Sequence, residues 1–330
     1  MVEGMSPLVS VLMPAFNAGR YLAESVESVR GQTFEDWELV VVDDGSSDDT
    51  GEIARRCAAA DARVRYVRRP NGGQAAARNT GLGEARAPLV AFLDADDLWL
   101  PGKLAAQLAV MEETGADLVY TDGYIFSEDG AAPPGERFHI LPGEARGVEM
   151  FRTLFTLNRI GTLSVLVKRE ALDAVGLFDE DRAYQNSEDY DLWLRLARWG
   201  ASFYGMPEKL MCYRRHAAAT TYAASRLLAP MLAVILKHAS DPALDPALVR
   251  KRVRGLYRDL ISSLVSEGRF EEARRRMREF YAWDGGAPVT ALQRVVLRLL
   301  PRRYNYISRE FLYRAEWHVR GLLGGRPGGA

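Results

Sequence analysis

Three acidic segments of this 330-residue chain have residue types and spacings that suit chemistry. The sequence Asp94-Ala95-Asp96-Asp97 follows the apolar run Ala91-Phe92-Leu93. A strand period of two would put Asp94 and Asp96 on one side, within reach of a single bound species. Mg²⁺ and Mn²⁺ favour oxygen ligands and often complete their shells with substrate phosphates, so the pair suits a metal–diphosphate, with the metal offsetting charge on a leaving phosphate. The sequence Val41-Val42-Asp43-Asp44-Gly45-Ser46-Ser47-Asp48 is an acidic turn directly after a buried-type strand. In open parallel sheets ligands bind outside the C-terminal strand ends, and a carboxylate there can accept the imide N–H of a pyrimidine. The sequence Ser187-Glu188-Asp189-Tyr190-Asp191 opens a helix, whose N-terminal end favours negative charge. That would keep a carboxylate ionised and able to take a proton from an attacking hydroxyl. Each segment alone has an ordinary reading: a chance surface turn, a helix-capping turn, a common first helical turn. Two smaller features add cations. Asn71-Gly72-Gly73 with Arg78-Asn79 offers a flexible turn for phosphate or sugar, and Tyr213-Arg214-Arg215-His216 offers a closing segment that could touch a diphosphate.

The elements that must position these residues alternate between strand and helix over the first 125 residues, the pattern of a parallel sheet with helices on its faces. Strands are expected at Leu8 to Met13, Leu39 to Val42, Val64 to Val67, Leu89 to Leu93 and Leu118 to Thr121. Between them, Leu22, Val26 and Val29 share one helical face, and Asp48 to Thr50 cap a helix carrying Ile53 and Cys57. Gln74 to Arg86 reads as partly helical, and Pro101 opens a helix with Leu104, Leu108 and Met111. Residues 126–146 read as a loop or hairpin, Val148 to Leu157 as a helix, Leu163 to Val167 as a strand, and Glu188 to Trp199 as a helix closed by Gly200. Beyond Ser225 the pattern is helical, broken at Asp241 to Pro246, Gly285 to Pro288 and Pro301. The expected domains are therefore 1–224 and 225–330. The net charge of −1 hides an asymmetry, because residues 226–330 carry 20 Lys+Arg against 10 Asp+Glu. Cys57 and Cys212 lie in unrelated segments and form no CxxC pair, which argues against a disulfide framework or a structural zinc site.

Taken together, the motifs resemble the inverting glycosyltransferases of family 2, which have the GT-A fold. The resemblance runs through Val9-Ser10-Val11-Leu12-Met13-Pro14-Ala15-Phe16-Asn17, Gln32-Thr33-Phe34-Glu35-Asp36-Trp37-Glu38 leading into Asp43-Asp44-Gly45-Ser46, and Asn71-Gly72-Gly73 with Ala77-Arg78-Asn79. It continues through Leu93-Asp94-Ala95-Asp96-Asp97 and Gly176-Leu177-Phe178-Asp179 to Glu188-Asp189, covering about residues 6–220. It implies an α/β, Rossmann-like, mostly parallel sheet with helices on both faces, plus the helical C-terminal region. It further implies that Pro14, Ala15, Phe16, Asn17 and Asp44 hold the base and ribose of a nucleotide sugar, with Gly73, Arg78 and Ala95 lining the donor site. Asp94 and Asp96 would hold Mn²⁺ or Mg²⁺, with His216 as a further ligand and Arg215 on the diphosphate. Asp189 would be the general base of a single displacement with inversion. By family habit the nucleotide is UDP, with dTDP next, and the acceptor is a saccharide or a lipid-linked sugar in cell-surface polysaccharide or glycolipid synthesis. Processive members carry a QxxRW motif downstream of the base. Here Arg198-Trp199 lies on the base's own helix with Arg195 in the glutamine's place, so transfer without polymerisation is expected.

Rival readings fit less well. A nucleotidyltransferase would show a Gly-rich basic loop where Pro14 to Asn17 stand, a glycosidase leaves the turn at Asp43-Asp44 unexplained, and Gly81-Leu82-Gly83 does not complete GxGxxG. An inactive relative that binds a nucleotide sugar or scaffolds an assembly would have no need of Asp189. Residues 289–323 mix Leu, Val, Tyr, Phe and Trp317 with seven arginines beginning at Arg294, which suits either peripheral contact with anionic lipid or a packed appendage or homo-oligomer contact. The N-terminus shows no signal-peptide pattern and no run long enough to span hydrocarbon, so a cytoplasmic location is expected, with attachment to the inner face of the membrane as the extension. No nucleic-acid-binding module is recognisable, and nucleic acid is not an expected partner.

Overall fold

The computed structural model describes residues 6–127, 136–215 and 224–284. Along the chain these form β1 (Val9–Ala15), α1 (Leu22–Arg30), β2 (Trp37–Asp43), α2 (Thr50–Ala60), β3 (Val64–Arg68), α3 (Gln74–Glu84), β4 (Leu89–Phe92), β5 (Leu98–Trp99) and α4 (Lys103–Thr114). There follow β6 (Leu118–Ser127), β7 (Glu136–Arg137), β8 (Gly143–Arg146), α5 (Gly147–Thr156), β9 (Val165–Lys168), α6 (Arg169–Val175), α7 (Glu188–Trp199) and β10 (Ser202–Arg215). The helices α8 (Ala224–His238), α9 (Pro246–Ser266) and α10 (Phe270–Trp283) complete the series.

One sheet runs in the order β3-β2-β1-β4-β9-β6-β10-β5, with β7 on β6 and β8 on β10. The first four strands are parallel neighbours, and β6 pairs parallel with β10. The strand β9 enters antiparallel between β4 and β6, so the start of β9 lies at the same sheet edge as the end of β4. That edge collects the loops carrying the acidic motifs.

The parallel half follows from its composition. Every residue of β1 and β2 is buried, as expected of central strands covered on both faces. Two polar residues inside them satisfy each other: Ser10 Oγ donates to Glu38 Oε1 at 2.7 Å, and Glu38 Oε1 also accepts the Arg86 amide at 2.7 Å. In α1 the buried positions are Leu22, Ser25, Val26 and Val29, the stripe the spacing predicts. The helix α3 lies close to the sheet because Gly81 has no side chain; a Cβ there would already touch Leu12 and Val42 at 3.4 Å. Helix α7 buries Tyr190, Leu192, Trp193, Leu194, Leu196 and Ala197, then stops at Gly200 in a left-handed conformation. A second apolar layer joins it to β4, with the Phe92 ring edge-on to Phe178 at 5.4 Å and tilted to Trp193 at 6.4 Å.

Three features differ from the sequence reading. The segment after Phe92 is not strand: Asp94 to Asp97 form a turn closed by the Asp97 amide on the Asp94 carbonyl at 3.1 Å. The strand β10 was not anticipated, because its apolar residues are interrupted by Gly205 and by Pro207-Glu208-Lys209, where the register on β6 shifts. Helix α6 was not anticipated either; it is seven residues long and too short to show a periodic stripe. The chain divides into two compact units, 1–256 and 257–330, with the division inside α9. Among the described residues no helix is long and apolar enough to cross a membrane. The basic stretch 289–323 lies outside the described residues.

Candidate active site

The acidic turn after β2 is built inward as well as outward. The Asp43 carboxylate is buried, accepts the Ser46 amide at 2.8 Å and the Tyr66 hydroxyl at 2.9 Å, and is held below its usual range by those bonds despite its burial. Asp44 is 3% exposed, and its carboxylate accepts the backbone amides of Gly72 at 3.0 Å and Gly73 at 2.8 Å and a guanidinium N–H of Arg69. Asp44 therefore folds the 69–73 turn onto the sheet edge. Gly73, with φ of 93°, enters α3 from a conformation that side-chain-bearing residues rarely adopt. The loop after β1 is pinned to the same turn: Asn17 donates its amide to Ser46 Oγ and accepts the Ser47 amide, both at 2.9 Å. Pro14 and Ala15 remain inside β1, with the Ala15 carbonyl accepting the Asp44 amide at 2.8 Å. Among Pro14 to Asn17, only Phe16 and Asn17 are exposed, and Phe16, at 54%, offers an uncovered ring beside the turn.

The turn at 94–97 places three carboxylates together. The pleat of a strand does not align Asp94 and Asp96; the turn brings both close enough to Asp97 for their charges to push its carboxyl up. Burial is the larger cause of that rise, since Asp97 is 1% exposed. Its Oδ1 accepts the Arg214 amide at 2.7 Å while Oδ2 is buried without a hydrogen bond. Ala95 is buried and anchors the turn to α1 through Ser25 Oγ at 2.9 Å. Arg214 closes the other side, donating to the Asp96 carbonyl at 2.7 Å and to Glu24 at 2.6 Å while lying over the rings of Tyr21 and Phe126. Arg215 is the exposed last residue of β10, and His216 lies outside the described residues.

Arg78 unites the pieces. It is 2% exposed on α3, and its guanidinium donates to Asp94 Oδ1 at 2.8 Å and to Glu188 Oε1 at 2.5 Å. Glu188, 2% exposed, also accepts the Asn186 amide at 2.6 Å. The end of β4 and the start of α7 are thus joined through one buried cation, with Asp189 next in line. Asp189 accepts the Thr162 hydroxyl at 2.6 Å and the Tyr190 amide at 2.7 Å. Burial, then the Glu188 charge, raise its carboxyl to about 6, against the lowering pull of Thr162 and Arg78. The helix N-terminus does not set the balance here, because desolvation outweighs it. The group is still mostly ionised at neutral pH and is a stronger base than an ordinary aspartate.

The carboxylates suit a hard divalent cation by donor chemistry, since Asp94 and Asp96 present oxygen only. Among the described residues no three His, Cys, Asp or Glu side chains gather into a metal site made by protein alone. Thr162, Arg69, Glu188 and Arg214 emerge from the structure as members of the site. For Glu188 the acidic run was a signal, and for Arg214 the Tyr-Arg-Arg-His run; a threonine 27 residues before Asp189 gave none.

This sheet, with loops gathered at one edge and carboxylates at the ends of β2, β4 and the start of α7, is that of a GT-A glycosyltransferase. The model of the family described as glycosyl transferase family 2 matches residues 10–175, and the chain belongs to that family. A Bacillus subtilis glycosyltransferase assigned by name to teichuronic acid biosynthesis, TuaG, is 34% identical over 209 residues, 63% of this chain and 79% of that protein. An uncharacterized glycosyltransferase of Rickettsia prowazekii is 31% identical over 222 residues, 66% of each chain. Among solved structures, residues 1–349 of Staphylococcus aureus TarS with UDP-GlcNAc superpose with a TM-score of 0.64 at 19% identity, covering 90% of this chain and 87% of that one. The Pyrobaculum calidifontis mannosyltransferase PcManGT, solved with GDP-Man and Mn²⁺, gives 0.55 at 19% identity, covering 98% and 89%.

Proposed function

We propose that the chain transfers a sugar from a nucleoside diphosphate, UDP first, to a hydroxyl of a saccharide or lipid-linked acceptor, with inversion and without polymerisation, in cell-surface polysaccharide synthesis. The observation that carries this reading is the buried Arg78 bridge from Asp94 to Glu188, which sets the proposed donor turn beside a carboxylate of raised basicity. Phe16 and Asn17 flank the base and ribose, and Asp44 shapes the 69–73 turn that lines the donor. Asp96 and Asp94, with His216, would hold a divalent ion, Mn²⁺ or Mg²⁺, and the chemistry it would supply there is neutralisation of charge on the departing diphosphate. Arg215 would meet the same phosphates. Asp189 accepts the acceptor's hydroxyl proton as its oxygen attacks the anomeric carbon, and Thr162 holds the carboxylate in the attacking orientation. TarS and PcManGT, solved with UDP-GlcNAc and with GDP-Man and Mn²⁺, support a nucleotide-sugar donor, and TuaG supports a polysaccharide product. We place the reaction in the cytoplasm, with residues 289–323 resting on anionic lipid at the inner membrane face or joining a second copy. The catalytic unit on this reading is 1–224, with 225–330 as the appended helical part.

Calorimetric titration with UDP, dTDP and GDP, each with and without Mn²⁺, on wild type and Asp96→Ala tests the donor site. Binding of one nucleotide that needs both metal and Asp96 is expected. No binding of any nucleotide to the folded wild type would overturn the assignment. The anomeric configuration of the product, read by NMR, tests inversion.

A further inference from the structure

Among the described residues, the buried and half-buried arginines around the proposed site are paired with one exception. Arg69 is held by Asp44, Arg78 by Asp94 and Glu188, and Arg214 by Glu24. Arg159 is half-buried, yet makes no hydrogen bond or ion pair among the described residues. A guanidinium cannot shed its charge and carries five donors, so partial burial without a partner is unfavourable unless a ligand supplies the acceptor atoms.

Its position says which ligand. The turn 158–160 is fixed, with Asn158 Oδ1 accepting the Ile160 amide at 3.0 Å and Ile160 itself 2% exposed. Next in the chain, Gly161 is covered by Phe138, whose ring would lie 2.8 Å from a Cβ added there. Thr162, whose hydroxyl bonds the Asp189 carboxylate, follows three residues after Arg159. Three residues span at most roughly 10 Å, within the combined reach of an arginine and a sugar. The carboxylates of Asp44 and Asp94 are already paired with Arg69 and Arg78, whereas Arg159 stands close in the chain to the threonine that holds the proposed base, the group to which an attacking hydroxyl must come. Leu157, two residues before Arg159, is an apolar side chain 41% exposed.

We propose that Arg159 binds an oxyanion of the acceptor, a carboxylate or a phosphate close to the hydroxyl that attacks, and so selects anionic acceptors over neutral ones. The proposal rests on Asp189 being the base. A planar guanidinium matches two oxygens of either group at once, which an ammonium does not.

The test is calorimetric titration of the full chain, saturated with UDP and Mn²⁺ so that the diphosphate positions are filled, with glucose, glucuronate and glucose 6-phosphate. Wild type is expected to bind one of the two anions more tightly than glucose, and the better anion identifies the acceptor group as carboxylate or phosphate. Arg159→Ala and Arg159→Gln are expected to weaken that anion roughly tenfold or more, with Arg159→Lys in between and glucose binding unchanged. If neither anion exceeds glucose on wild type, or if the variants bind the anion as wild type does, the proposal is wrong. The UDP titration of the same samples reads folding and the donor assignment separately: loss of UDP binding in wild type would sink the donor reading, while the dependence of the anion on Arg159 would still stand or fall by its own isotherm.

Discussion

Removing one methyl-sized hydroxyl should move the pH dependence of transfer without touching the base itself. The Asp189 carboxyl titrates at about 6, raised by burial and by Glu188 and lowered by the Thr162 hydroxyl. A hydrogen bond to a charged group is worth about 1.5–3 kcal/mol, of which the protonated acid keeps part. A differential loss of about 1 kcal/mol in Thr162→Val corresponds to roughly 0.7 of a pKa unit, upward. The fraction of ionised base near pH 6 then falls about threefold, near pH 7 by less than about half, and near pH 8.5 hardly at all. Glu188→Gln removes the second raising cause and should shift the same limb to lower pH. The assay is kcat/KM for the acceptor from about pH 5 to about pH 9, which reports groups of the free enzyme. Acid limbs that coincide in all three proteins, or a loss that is uniform with pH, would refute the assignment of the limb to Asp189.

Other perturbations test the scaffold. Arg78→Met leaves Glu188 and Asp94 facing each other without their cation, so a loss of about 3–5 kcal/mol in denaturant-measured stability is expected, and Arg78→Lys should recover only part of it. Asp44→Ala removes the acceptor for the Gly72 and Gly73 amides; hydrogen exchange there should accelerate by at least about tenfold and nucleotide binding should weaken with it. Lys103 is fully buried, donates to Gln107 Oε1 at 2.7 Å, and has its amine held well below the usual lysine range by desolvation. The unfolded chain therefore binds a proton that the folded chain resists, so stability should rise with pH up to the ordinary lysine pKa. Lys103→Met should melt at a higher temperature than wild type near pH 7, with the two curves converging toward about pH 10. A gap that widens with pH would contradict the sign.

The fold was legible because its parallel half obeys simple rules. Largely apolar runs at β1, β2 and β4 and the Leu22, Val26, Val29 stripe of α1 are signals that tertiary contacts reinforce. The strand β10 escaped because its pairing with β6 tolerates a register shift at Met206 to Met211, which destroys the alternation on which a strand is recognised. The carboxylates of the site were legible as motifs, but their wiring was not. Asp44 reads as a ligand-facing group, whereas its oxygens are occupied by the 69–73 turn. The raised basicity of Asp189 could not be read either, because it depends on burial and on a carboxylate brought alongside by folding, both of which oppose the helix dipole that sequence position suggests.

Why an arginine should stand at position 78 follows from what the proposed reaction demands. In a single displacement the leaving diphosphate and the attacking oxygen lie on opposite sides of one carbon, so the groups serving them must keep a fixed separation. Those groups come from the end of β4 and the start of α7, nearly a hundred residues apart in sequence and with no direct strand pairing between them. A rigid fork donating to Asp94 with one nitrogen and to Glu188 with another fixes that separation through covalent geometry. A lysine would offer one flexible point charge, and an apolar residue would leave two carboxylates repelling each other. The same bridge places a full positive charge near Asp189, which keeps its carboxyl from rising further and losing its proton-accepting form at neutral pH. Arg78 is therefore a positioning residue whose loss should show first in kcat, with nucleotide affinity surviving better than turnover.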